Sequence, residues 1–455
     1  MEKIADAKAF VTWYHMLILL GSQLIFIPIA NESYSLNEFS LWLSLSLLIS
    51  LYLVIDFGSS QTFLKCNGAL ISGHKCIPDY GSYESAVIKK IDRSKLFCDL
   101  EYITRFNNFA NRCFLRNSIL MILITAGLFY LVLKNRFMAL DFDANYILSF
   151  IIAIVILFFQ SCNFYFYNKL ISFKDYTKVR FIEANMVLLR SLIVLSAFYF
   201  DLDFIFYFIF YFFGNLLLFF AHLINLKTIR SIKILSIRKV NFPDKDKYLK
   251  GQNRQGILNI SSALILNAFG LIGAQFKSSS EASLSLLTNR IFNVIKNFAQ
   301  VPLVSNIPDL IKLRNTIGYK IAFNRFLRLH LLSILLFAIF SILNFIFFYV
   351  IEIFSYQYIY LNYLYFLYFF VLVLELNHSG FSQFYLTRNH IPFLWPSIIS
   401  GSLIIILGLY FGNIYGALGL VISQGLVQLL FNNWYPVFKV LQESKFEKDN
   451  NLLRN

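Results

Sequence analysis

Six polar side chains share one otherwise apolar run, residues 287–308: Asn289, Arg290, Asn293, Lys296, Asn297 and Gln300. Cations beside carboxamides suit an anion that must leave water. Guanidinium and ammonium groups give it charge-assisted hydrogen bonds, and amides complete the shell. At about 100° per residue the six occupy an arc of roughly 120° on a helix. Ile291, Phe292, Val294, Ile295, Phe298, Ala299, Val301 and Leu303 fill the rest of the circumference. A cation facing lipid at the centre of a span costs about 2.5–3.5 kcal/mol, so the stripe faces protein or a watery cavity. Two readings follow. Arg290 and Lys296 could be paired inside a helix bundle, or the stripe could be the wall of an anion-receiving cavity; the absence of an acid on the same stripe favours the second.

Few other ionisable groups interrupt the apolar runs. Glu183 and Arg190 lie seven residues apart, on one face two turns apart, as structural partners of neighbouring helices or as part of a site. Asp56, followed by Phe57, Gly58, Ser59, Ser60 and Gln61, fits an interfacial cap as readily as a proton site. Glu375 stands near the cytoplasmic end of its run, where a side chain can snorkel to the headgroups. Asp56, Glu183 and Glu375 are the candidates for proton or sodium coupling. Gln424, Gln428 and Asn432 share one face at four-residue steps, either lining a cavity or bonding between helices. The cysteines, Cys66, Cys76, Cys98, Cys113 and Cys162, form no CxxC pair, and His74 beside Cys76 is too sparse for zinc. No metal site or cofactor is expected. No GxSxG, HExxH or Walker-type signature occurs, so the chain does not read as an enzyme.

The elements that must position these groups are membrane helices. Of 455 residues, 58% are hydrophobic and 14% charged, and the mean hydropathy is +0.63, far from the balance of soluble domains. Twelve runs can be counted as spans: 10–30, 39–57, 115–133, 144–170, 181–200, 203–226, 257–276, 282–305, 326–350, 358–376, 391–411 and 414–437. The first continues without a small-residue cleavage pattern, so no cleavable signal peptide is expected. Residues 201–202 leave a tight hairpin between the fifth and sixth. With the N-terminus in the cytoplasm, most of the 40 Lys and Arg residues face inward, and the outward connections hold only Lys134, Arg136 and Lys277. The expected fold is therefore an all-α polytopic membrane protein with about twelve transmembrane helices, N-in and C-in. The net charge of +15 is topological first, contact with anionic membrane lipid follows from it, and no nucleic acid is invoked.

Two inward segments are long. In 58–114, apolar residues recur at Leu96, Leu100, Ile103, Phe106, Phe109 and Cys113, the spacing of an amphipathic helix. It would lie on the inner headgroup layer or pack on other cytosolic loops. The basic linker 231–256 separates an N-terminal six-helix lobe, 1–230, from a C-terminal one, 257–455.

The run Ile55-Asp56-Phe57-Gly58-Ser59-Ser60-Gln61 resembles the start of the first cytoplasmic loop in Wzx-type O-antigen flippases, of the multidrug/oligosaccharidyl-lipid/polysaccharide (MOP) exporter superfamily. Asn289-Arg290-Ile291-Phe292 leading to Pro302 and Ile307-Pro308-Asp309-Leu310 is similar to the matching segment there. So is Tyr415-Gly416-Ala417-Leu418-Gly419, followed by Gln428 and Asn433-Trp434-Tyr435-Pro436. The likeness extends over most of the chain in span count and loop size, although 58–114 is longer than typical of the family.

The resemblance implies two six-helix lobes around a central cavity that opens alternately to each side. Its cargo would be an undecaprenyl-pyrophosphate-linked glycan, the repeat unit of O-antigen or capsular polysaccharide, moved across the bacterial cytoplasmic membrane. A polysaccharide polymerase and a chain-length regulator would be partners. In that setting Arg290 and Lys296 would contact the anionic part of the substrate, and Asn289, Asn293, Asn297 and Gln300 its hydroxyls or phosphate oxygens. Arg190 would complete the cationic lining from the N-terminal lobe. The alternatives are a cation-coupled multidrug exporter of the same superfamily, which positive central charges disfavour, and a membrane polymerase or glycosyltransferase, which short outward loops disfavour. A peptidoglycan-precursor flippase would have two more spans than counted here.

Overall fold

A computed structural model describes residues 2–71, 76–77, 100–173, 176–227, 241–276, 278–316, 318–351, 362–385 and 393–452. His74, Leu96, Cys98, Lys277 and the basic stretch 228–240 lie outside the described residues. In chain order the helices are α1 (Glu2–Ser33), α2 (Leu36–Ser50), α3 (Tyr52–Asp56), α4 (Ser59–Ile71), α5 (Leu100–Met138), α6 (Ala144–Phe173), α7 (Tyr176–Tyr199), α8 (Phe204–Lys227) and α9 (Lys245–Gly273). Then follow α10 (Ser279–Ala299), α11 (Val301–Ser305), α12 (Ile307–Thr316), α13 (Tyr319–Ile351), α14 (Asn362–Tyr385), α15 (Leu394–Tyr415), α16 (Ala417–Val427) and α17 (Trp434–Leu452), with a π-helical turn at Gln428–Asn432.

Ten helices among the described residues are long and apolar enough to cross a membrane, and the chain is a multi-pass membrane protein. The expected eighth and twelfth spans do not meet that measure, for physical reasons visible in each. Helix α10 carries Glu281, Arg290 and Lys296, and α16 is 11 residues long and runs into the π-helical turn.

The described residues form two compact units, one from 25–263 and one from 1–24 together with 264–455; the boundary falls inside α9. In the N-terminal unit α6 packs against α2, α3, α4, α5 and α8. Its aromatic core includes Phe63, Phe106, Phe114, Tyr165 and Tyr248, with Phe114 and Tyr165 stacked at 4.2 Å. The apolar spacing expected of an amphipathic helix is real, but the helix does not lie flat. It is the first part of α5, which continues without a break to Met138. Ile103, Phe106 and Cys113 are buried, the last two in this core. Burial against Phe242 and Tyr248 at 5.7 Å ring separations from Phe106 replaces contact with headgroups.

In the C-terminal unit α15 and α16 form a close hairpin, and α14 packs on α10, α13, α16 and α17. Gly419 permits the hairpin, since a Cβ there would run into the backbone of Phe411 and Gly412. The C-terminal helix is pinned by a buried Arg314–Glu443 ion pair and by Tyr319, whose hydroxyl donates to the Val440 carbonyl at 2.7 Å.

Candidate functional site

Helix α10 begins where Ser278 accepts a hydrogen bond from the Glu281 amide, and it ends at Gln300, ahead of Pro302 in the first turn of α11. Its polar stripe divides lengthwise. Setting Asn289 at 0°, the ideal repeat puts Lys296, Asn289 and Gln300 within about 20° of one edge. Asn293, Asn297 and Arg290 follow at about 40°, 80° and 100°.

The first edge is buried and engaged by α14. Lys296 Nζ donates to Glu375 Oε1 at 2.6 Å. The Tyr368 hydroxyl donates to Asn289 Oδ1 at 3.0 Å, and Gln300 Nε2 donates to Ser379 Oγ at 2.6 Å. Each rung joins residues 79 apart, so α10 and α14 run parallel and in step. The remaining Glu375 oxygen accepts from Gln424 Nε2 at 2.9 Å, and that amide also reaches the Ile265 carbonyl at 3.4 Å. Glu375 is only 1% exposed. It is buried and holds Lys296, where sequence position alone had it reaching for the headgroups.

The second edge turns away from that ladder. Arg290 and Asn293 are half-buried and Asn297 is exposed. Asn293 joins the two edges, its Nδ2 donating to Asn289 Oδ1 at 3.1 Å. The apolar back of the helix is packed, with Phe298 4.7 Å from Trp13 and 5.2 Å from Phe340.

In the N-terminal unit Arg190 is buried, donates to Asn215 Oδ1 at 3.2 Å and lies 4.7 Å over the Tyr211 ring. Glu183 pairs with Arg180 of its own helix at 2.7 Å. Asp56 is fully buried and accepts from the backbone amide and hydroxyl of Ser60, which caps the start of α4. The turn after it requires glycine. Gly58 has φ 71°, and a Cβ there would approach the Gly256 nitrogen to 2.6 Å. Ser59 Oγ accepts from Gln252 Nε2 at 2.5 Å, so the Asp56–Ser60 turn is docked on the first half of α9.

Several polar residues escaped the reading of the sequence, and Glu375 was singled out there without its partners. Tyr368, Glu375 and Ser379 repeat at +7 and +4, the spacing of Asn289, Lys296 and Gln300, and that shared spacing is the signal that would have paired the helices. Lys169 is fully buried; its Nζ donates to Asn111 Oδ1 at 3.1 Å and lies 5.6 Å from the Phe63 ring centre. It sits so near the end of its span that it reads as an interfacial cation. His222 is buried, and neither ring nitrogen has a hydrogen-bond partner among the described residues. Around the π-helical turn, His378 Nδ1 donates to the Asn432 carbonyl at 2.7 Å, and Asn377 bridges His330 and Asn433.

No protein-family model matches the chain, and no curated protein matches it in sequence. Solved structures do match it in fold. The chain is similar to the lipid II flippase MurJ in an inward closed conformation, with a TM-score of 0.61 and 14% identity, over 95% of this chain and 87% of that one. A Vibrio cholerae MATE transporter, VcmN, matches with a TM-score of 0.57 and 12% identity over 98% of both chains. An outward-facing multidrug resistance MATE family transporter of the MOP superfamily matches with a TM-score of 0.55 and 10% identity, over 96% of this chain and 95% of that one.

Proposed function

We propose that this protein is a flippase for undecaprenyl-pyrophosphate-linked oligosaccharide repeat units, carrying them across the bacterial cytoplasmic membrane for O-antigen or capsular polysaccharide synthesis. It acts by alternating access, without chemistry on its cargo. The observation that carries the reading is the division of the α10 stripe. Lys296 is buried against a carboxylate, whereas Arg290 and Asn293 are half-buried and Asn297 is exposed on the other edge. Pyrophosphate and sugar hydroxyls call for such a pairing of guanidinium and amide donors. The fold it shares with a lipid II flippase is in keeping with a lipid-linked glycan as cargo.

Arg290 is the first anion contact in this reading. Lys296, Asn289 and Gln300 form a reserve, because a proton or sodium ion on Glu375 would release Lys296 toward the same anion. That competition links an ion gradient to cargo and makes Glu375 a better coupling candidate than Asp56 or Glu183, both engaged within the N-terminal unit. Arg190 is a further cationic contact. A polymerase and a chain-length regulator would take the product onward.

The test is export of surface polysaccharide. Arg290→Gln should abolish it while protein level and membrane insertion hold, and vesicles with the variant should fail to flip a labelled lipid-linked oligosaccharide. Normal export would remove the assignment. A multidrug exporter is the second reading, favoured by the likeness to MATE transporters; drug resistance conferred by the chain without any glycan defect in its absence would select it. A polymerase or glycosyltransferase would instead leave unpolymerised repeats on the outer leaflet of a deletion strain.

A further inference from the structure

The N-terminal unit contains a cavity of about 420 Å³ between α5, α6 and α8, lined only by Phe, Leu and Cys162. Phe114 and Leu115 contribute from α5, Phe158 and Phe166 from α6, and Phe219 and Phe220 from α8. Its volume falls in the range of small-molecule sites. The mouth is at the apolar surface of the unit, for Phe220 is 50% exposed and Leu217 and Ile224 beside it on α8 are 42% and 63% exposed. In a bilayer that surface faces hydrocarbon, and a dry apolar cavity holds apolar matter and no water.

The neighbouring surface fixes what kind of molecule enters. On α5 the exposed side chains run Arg112, Arg116, Ile119, Leu120 and Leu123. The stripe changes from basic to apolar within one turn after Arg116, and Phe114 and Leu115 lie between the two arginines along the helix. On α8 the exposed residues Phe220, Ile224 and Lys227 make the same change in the opposite chain direction. Lys227 lies about 10 Å along the axis from Phe220, at 1.5 Å per residue. Among the described residues no carboxylate pairs with Arg112, Arg116 or Lys227; Arg116 Nε donates only to Asn117 Oδ1, at 3.3 Å. An apolar slot thus opens between two helices that each carry exposed cations close to it, with no carboxylate paired to them among the described residues. Water-soluble anions would leave the slot empty, and neutral lipids would leave the cations unmatched.

We infer that this slot is a binding site for an anionic phospholipid, with one acyl chain among the phenylalanines and the phosphate on Arg112, Arg116 and Lys227. The site is separate from α10 and needs only that the helices span a membrane, so loss of the flippase assignment leaves it standing.

The full-length chain in nanodiscs, followed by native mass spectrometry, tests it with phosphatidylglycerol and phosphatidylcholine as probes. The parent chain should retain phosphatidylglycerol in preference. Each basic residue changed to glutamine should weaken that retention about fivefold, the factor expected for one cation at an anionic surface, and Arg112→Gln, Arg116→Gln and Lys227→Gln together should erase the preference. Leu216→Trp and Leu115→Trp fill the slot and should expel the lipid without lowering the thermal unfolding temperature; if one variant does not fold, the other decides. Equal retention of the two lipids by the parent chain, or retention unchanged in the triple glutamine and tryptophan variants, overturns the inference. Displacement by undecaprenyl phosphate with no retention of phosphatidylglycerol also overturns it, in favour of a polyprenyl site.

Discussion

The two units handle buried positive charge differently. In the C-terminal unit Lys296 meets Glu375 and Arg314 meets Glu443, both pairs nearly inaccessible. In the N-terminal unit Arg180 has its carboxylate, but Arg190 rests on Asn215 and Tyr211, and Lys169 on Asn111 and Phe63. A carboxylate cancels a cation and makes each partner depend on the other. An amide or a ring only solvates it, so the charge stays uncancelled and its removal leaves no opposite charge stranded. The first arrangement locks helices together through opposite charges, and the second ties a cation to neutral groups alone.

The sharpest way to break this contrast is Glu375→Gln. It strands Lys296 and should cost about 3–5 kcal/mol, the usual penalty for removing one member of a buried pair, read as a lower unfolding temperature. Combining it with Lys296→Met should restore most of the loss. If single and double variants unfold alike, the pair is not what holds α10 to α14. Lys169→Met comes next and should behave in the opposite sense. The ammonium is spared its desolvation, and Asn111 Oδ1 keeps its bond from the Tyr165 hydroxyl at 3.0 Å. Stability should therefore rise, or change by less than about 1 kcal/mol. A loss as large as that of Glu375→Gln would erase the distinction between the units. Asn297→Ala, on the open edge of α10, should shift stability by no more than about 0.5 kcal/mol while lowering glycan export. A larger loss of stability with export intact would mean that this edge is structural too.

How much of this was legible in the sequence depended on whether cause and effect sat on one helix. Apolar runs reveal spans because each span meets lipid by itself, and ten of the helices bear that out. The stripe on α10 was equally plain, since spacing within one helix is local. Its acid was not, because Glu375 stands 79 residues away and a search along a single stripe cannot see across to another. The same limit hid the beginning of α5. Its apolar spacing was correct, but whether such a face meets headgroups or Phe242 and Tyr248 is a matter of tertiary packing. Lys169 shows a third form of the limit: a lysine at the end of a span looks alike whether it escapes to water or turns inward.

The constant interval between the rungs of α10 and α14 has a consequence for change in length. A residue inserted between 351 and 362, past the end of α13, would renumber α14 without disturbing any rung. The same residue inserted between 289 and 296, or between 368 and 375, would rotate everything beyond it by about 100° and leave Lys296 facing no acid. Compensating insertions on both helices would bring the rungs back into line. Drift in this chain is therefore free in the connection and coupled in the ladder, and the two helices are constrained to change length together or not at all.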